Sequence, residues 1–154
     1  MSVTAAAGFT AAGVAAGLKG FGKRDLALVV NEGPLRSAAA VFTSNRAKAN
    51  PILWSQQVIA DGTVSAIVLN SGGANCFTGP EGFQTTHATA EAVGEALGVS
   101  AGDVLVCSTG LIGEQLDREK LVAGAHAAAV ERNEHGGAHA AEAIMTTDTT
   151  PKTA

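Results

Sequence analysis

Apolar residues fall in short runs along this chain, and most of the runs end on a turn signal. DLALVVN at residues 25–31 stops at Glu32, Gly33 and Pro34, and SAAAVFT at 37–43 follows so closely that the two predict neighbouring strands. PILWSQQVIA at 51–60 suits either a strand or a helix; its second half favours a helix, closed by Asp61 and Gly62. TVSAIVLN at 63–70 is apolar and β-branched, the mark of a buried strand, and it empties into Ser71, Gly72, Gly73 and Ala74. Between 85 and 97 the period changes. Ala88, Ala92, Val93, Ala96 and Leu97 recur three and four apart, which predicts a helix stopped by Gly98. DVLVCS at 103–108 predicts another strand, again delivered into a glycine-containing turn, TGLIG at 109–113. Helices over 117–132 and 137–145 follow, and the polar tail at 146–154 reads as the start of a further strand or a linker.

Strands first, then strand, helix, strand, helix, is the order of an α/β layered sandwich with flanking helices. The sheet is expected to be mixed, because the runs at 25–31 and 37–43 lie too close together for a helical crossover between them. Composition refines this picture. The 154 residues suit one α/β domain with a real core, and with no Tyr and 4% aromatics that core must be filled by Ala, Val, Leu and Ile. A net charge of −4, with Lys and Arg scattered, leaves no basic field for nucleic acid. The first eighteen residues are uncharged, but Gly8, Gly13 and Gly17 interrupt them, so they read as a mature N-terminus and not as a signal peptide or membrane span. Cys76 and Cys107 are far apart with no C-x-x-C spacing, which fits reduced thiols and a cytoplasmic location.

Two segments could carry chemistry, LNSGGANCFTG at 69–79 and CSTGLIG at 107–113, each a strand emptying into a glycine turn. Such turns let backbone N–H groups approach an oxyanion or a phosphate, although glycines also serve tight turns and nothing more. Neither is a G-x-x-x-x-G-K-[ST] loop or a G-x-G-x-x-G fingerprint, so nucleotide binding of those kinds is disfavoured. The histidines His87, His126, His135 and His139 form no H-E-x-x-H and no cluster with cysteine, and no metal site is expected. No His is placed by sequence to activate Cys76, which reads as a small buried thiol. Glu91, Glu95, Glu114, Asp117 and Glu119 read as a solvated face or as helix N-terminal charges.

Taken together and in order, GFTAAGVAAGLK (8–19), DLALVV, AAAVFTSNRAKANP (38–51), LNSGGANCFTG, STGLIG (108–113) and IMTTDTTPK (144–152) resemble the ornithine acetyltransferases, also called glutamate N-acetyltransferases. The resemblance runs along nearly the whole chain. It implies a self-processing enzyme of arginine biosynthesis, cut into α and β chains, in which a Thr exposed at the start of β takes acetyl from N-acetylornithine and passes it to glutamate. Such a Thr carries its own α-amino group as base, so no His triad is needed. No cofactor is implied, some members accept acetyl-CoA as donor, and an α2β2 assembly with the β chain of the same precursor is the expected partner arrangement. Carried over residue by residue, Thr109 and Gly110 fall on the family's oxyanion hole, its hydroxyl and its backbone N–H respectively. Thr146 and Thr147 fall on a substrate-binding stretch, with Thr147 favoured as the residue that touches the acetylated amino acid. Asn70 and Asn75 are expected to shape the loops and not to take part in chemistry.

The sequence departs from the family at its end, where the Lys-Gly-x-Gly-Met stretch leading to Ala-Thr-Met-Leu is not reached before Ala154. The expectation is therefore a single α/β domain over 1–154, an α-chain portion that ends before the self-cleavage site and is inactive alone. An acetyltransferase of a related secondary-metabolite pathway would look the same, and a related aminopeptidase fits less of the chain. A non-enzymatic α/β module binding a small anion or a partner through its glycine loops is the alternative of another class.

Overall fold

The computed structural model describes residues 2–153. Its centre is a mixed four-stranded sheet in the order β1-β2-β3-β4: β1 (Phe9–Val14), β2 (Leu26–Asn31), β3 (Ala66–Asn70) and β4 (Val104–Ser108). β1 and β3 pair antiparallel to β2, while β3 and β4 run parallel with Asn70 beside Ser108. The parallel pair needs a crossover, which α2 (Gly79–Leu97) supplies. The other helices are α1 (Asn50–Val58), α3 (Arg118–Glu131) and α4 (Gly137–Ala143).

Strand side chains alternate between two faces, and the alternation decides which helix each meets. Val14, Leu26, Leu28, Val68, Val104 and Val106 face α1, α2 and α3, where Trp54, Val93, Leu121 and Ala125 complete the main core. Ala11 and Ala27 face the other way and meet Ala140 and Ala143 of α4. That second layer is thin because the backbones nearly touch. A methyl group at Gly13 would lie 2.0 Å from the His139 carbonyl oxygen, so β1 carries glycine there and α4 lies directly on it.

The mixed sheet and the strands at 25–31, 63–70 and 103–108 agree with the hydrophobic pattern, but the antiparallel neighbour of β2 is not the run at 37–43. Apart from an isolated bridge between Ser37 and Thr63, that run has no strand structure, and Phe9–Val14 takes the place beside β2. The open edge of β4 is unavailable to it as well. Ser55 Oγ donates to the Val106 carbonyl at 2.9 Å and accepts from the Val106 N–H at 3.1 Å, and Trp54 Nε1 donates to the Val104 carbonyl at 3.0 Å. Side chains of α1 thus satisfy the edge where a fifth strand would otherwise pair. Both α1 and α2 begin earlier than their periodicity suggests, each with a proline in its first turn, Pro51 and Pro80, where a missing N–H costs nothing. The segment 146–153 has no strand or helix.

Candidate functional site

In an open α/β sheet, ligands gather beyond the carboxyl ends of parallel strands, because the loops diverge there. β3 and β4 end side by side, so the loops at 71–75 and 109–113 leave the same end of the sheet. The register of the β1–β2 hairpin brings its connection to that end too, since Val14 pairs with Leu26 and Leu26 with Asn70. Finally, Ser71 Oγ donates to the Ala143 carbonyl at 2.5 Å, anchoring the end of α4 and the Thr146–Thr147 stretch beside the loops.

The result is a cavity of about 630 Å³, lined by residues of all four segments. Thr109, Gly110, Thr146 and Thr147, the four residues singled out in the sequence, all line it. Lys19, Phe21, Lys23, Ser71, Gly72 and Leu111 complete most of the wall, so the lining carries two lysines and no carboxylate in a chain of net charge −4.

The loops are held by backbone contacts that leave several donors free, the Thr109 hydroxyl and the Gly110 N–H among them. The Thr109 N–H donates to the Asn70 carbonyl at 3.0 Å, prolonging the β3–β4 ladder, and the Ala74 N–H donates to the Leu111 carbonyl at 2.8 Å. Gly110 adopts φ +132°, and a methyl group on it would lie 2.9 Å from the backbone of Gly73. Among the described residues, neither the Thr109 hydroxyl nor the Gly110 N–H has a hydrogen-bond partner. A free hydroxyl beside a free, backbone-fixed N–H can stabilise a negatively charged oxygen.

Asn70 and Asn75 brace this arrangement. Asn70 Nδ2 donates to Ser108 Oγ at 2.6 Å, tying the two strand ends together, and Asn70 Oδ1 accepts from the Gly72 N–H at 3.3 Å. Asn75, buried with φ +49°, donates to the Gly82 carbonyl and Thr86 Oγ1 of α2 and accepts from Thr78 Oγ1.

Burial pulls the Lys19 ammonium below the usual lysine range; the Asp25 carboxylate opposes this and Lys23 reinforces it. Beside Thr147, the hydrogen bond from Lys152 Nζ to Asp148 Oδ1, at 2.5 Å, holds that carboxyl below its ordinary value. Cys107 is exposed on β4, yet neighbouring groups still desolvate its thiol and raise its pKa, the opposite of activation. Cys76 is buried, and none of the four histidines lines the cavity. Among the described residues no group of three or more His, Cys, Asp or Glu side chains could hold a metal ion, and no helix is long and apolar enough to cross a membrane.

What sequence reasoning missed is the connection between β1 and β2. Lys19 is visible in the sequence only as the end of GFTAAGVAAGLK, and nothing local to it points to a cavity shared with residues 71–72, 109–111 and 146–147.

A mixed α/β sandwich with a donor-lined cavity at the ends of two parallel strands defines a class of small-molecule binding site, and comparison with known proteins gives the family. The sequence pattern of the ArgJ family matches residues 10–154, and the chain belongs to that family. It is 65% identical over 153 residues to the arginine biosynthesis bifunctional protein ArgJ of Streptomyces coelicolor, covering 99% of this chain and 40% of that protein. The solved structure of ornithine acetyltransferase from Mycobacterium tuberculosis, complexed with ornithine, superposes with a TM-score of 0.95 at 56% identity, covering 97% of this chain and 81% of that one. That of the ArgJ protein from Bacillus halodurans gives 0.88 at 36% identity, covering 97% and 78%. The chain therefore spans about 40% of the length of the curated relatives it matches.

Proposed function

We propose that this chain supplies the oxyanion-stabilising part of an acetyltransferase that moves acetyl from N-acetylornithine to glutamate. The observation that carries the reading is the pair of unpartnered donors, Thr109 Oγ1–H and the Gly110 N–H, in one cavity with Thr146 and Thr147. It draws further support from family membership and from the ornithine held by the M. tuberculosis relative.

In this reading a Thr at the start of a β chain from the same precursor attacks the acetyl carbonyl. Its hydroxyl proton passes to its own α-amino group, and the carbonyl π electrons move onto oxygen. Thr109 and Gly110 hold that oxyanion while Thr147 positions the acetylated amino acid. Collapse breaks the C–N bond, the leaving ornithine nitrogen takes the proton, and an acetyl ester remains on Thr. The neutral amine of glutamate then attacks the ester through a second tetrahedral intermediate in the same cradle, whose collapse breaks the acyl C–O bond; the proton the amine gives up passes through the α-amino group to the leaving Thr oxygen. An α2β2 assembly, a cytoplasmic location and acetyl-CoA as an alternative donor belong to this reading, and no cofactor does.

The test is to produce the chain together with the downstream sequence that its longer relatives carry and to follow acetyl transfer from N-acetylornithine to glutamate. Transfer is expected, and Thr109→Ala should lower turnover about a hundred- to a thousandfold, the usual effect of removing one oxyanion donor. Unchanged turnover in that variant would remove Thr109 from the oxyanion role.

A further inference from the structure

Lys19 lines the cavity, and its own N–H and its ammonium connect two parts of the molecule distant in sequence. Its backbone N–H donates to Asp25 Oδ2 at 2.8 Å, the Leu18 N–H donates to the same oxygen at 2.7 Å, and the Ala16 N–H donates to Oδ1 at 2.7 Å. Asp25 is fully buried, so this carboxylate gives the 16–19 loop one fixed position against the start of β2. From there the Lys19 ammonium donates to the backbone carbonyl of Met145. α4 has ended at Ala143, and Thr146 and Thr147 follow Met145 directly with no regular structure to place them.

We propose that Lys19 is a positioning residue for Thr147: by holding the Met145 carbonyl it sets where the Thr146–Thr147 stretch stands in the cavity that also contains Thr109 and Gly110. The inference rests on the reading of this cavity as the site for an acetylated amino acid. Lys19 acts through the backbone and need not touch the substrate. Ser71 supplies the companion tie two residues earlier, at the Ala143 carbonyl. Between them the two contacts fix the chain as it leaves α4.

A double-mutant cycle on the protein produced with its downstream sequence tests this. Lys19→Met keeps the length of the side chain and removes the donor, and it should raise the KM for N-acetylornithine about tenfold while changing kcat about twofold or less. If Lys19 acts through Thr147, the same substitution made on Thr147→Ala should change KM about twofold or less, because the contact it positions is already gone. Lys19→Arg, which keeps a donor, should recover most of the loss, and thermal melting of each variant separates misfolding from misplacement. Additive effects of Lys19→Met and Thr147→Ala, or an Arg variant no better than Met, would overturn the positioning role and leave the site reading intact. A Thr147→Ala protein with an unchanged KM would instead overturn the reading of the cavity, and this assignment with it.

Discussion

The Asp25 carboxylate takes three backbone N–H groups at 2.7–2.8 Å while the residue's own carbonyl accepts from the Ser71 N–H at 2.9 Å. It therefore joins the β1–β2 connection to the first glycine loop. Replacing it with Ala would leave the N–H groups of the half-buried Ala16, Leu18 and Lys19 without their acceptor. Asp25→Ala should cost about 3 kcal/mol or more of unfolding free energy, measured by denaturant titration. A loss near zero would mean that those N–H groups find other acceptors. What contiguous motifs made legible in the sequence is a grouping: Thr109 and Gly110 stand in STGLIG, Thr146 and Thr147 in IMTTDTTPK, and all four line one cavity. Asp25 was legible only as the first residue of a strand. Its role depends on partners that β1 and β2 bring together by pairing, and no local pattern records them.

Elements were legible where periodicity and burial agree. β2, β3 and β4 are buried runs rich in Val and Leu, and α3 has Leu121, Ala125, Ala128 and Ala129 on its inward face. The miss is a matched pair: FTAAGV became a strand and SAAAVFT did not. Small residues at 9–14 weaken the strand signal, yet they are what lets α4 sit against β1. Conversely, an apolar run has no edge to join once α1 has occupied β4. The sequence places Asp117 at the start of a helix, and it caps α3 by accepting from the Lys120 N–H at 3.2 Å. That hydrogen bond is the main reason its carboxyl lies below the ordinary value of 3.8. A depressed folded-state pKa stabilises above the unfolded value, and the gain disappears as pH falls through the folded one. The melting temperature of Asp117→Asn should thus trail that of the parent at neutral pH and converge with it in acid, once pH has fallen below the depressed folded-state pKa and both side chains are uncharged. A gap that persists unchanged across that range would contradict the assignment.

At the scale of the whole molecule, the sheet sorts its functions by end. The helical face holds the main core, while the carboxyl ends of β3 and β4 collect the glycine loops, the β1–β2 connection and the exit from α4 around one cavity. A second cavity of 350 Å³ lies beneath α4, among Val29, Leu69, Ala140 and Ile144, and includes none of the four residues singled out in the sequence. The local field of the main cavity runs against the acidic whole, with Lys19 and Lys23 on its wall, and suits a ligand that bears a carboxylate. In the proposed function Thr109 and Gly110 recognise the tetrahedral oxyanion and not the planar amide. Its most direct test is the affinity of the protein, produced with its downstream sequence, for N-acetylornithine and for a tetrahedral phosphonamidate analogue of it. Thr109→Ala should weaken the tetrahedral analogue about a hundredfold and leave N-acetylornithine nearly unaffected. Equal weakening of both ligands, or of neither, would contradict it.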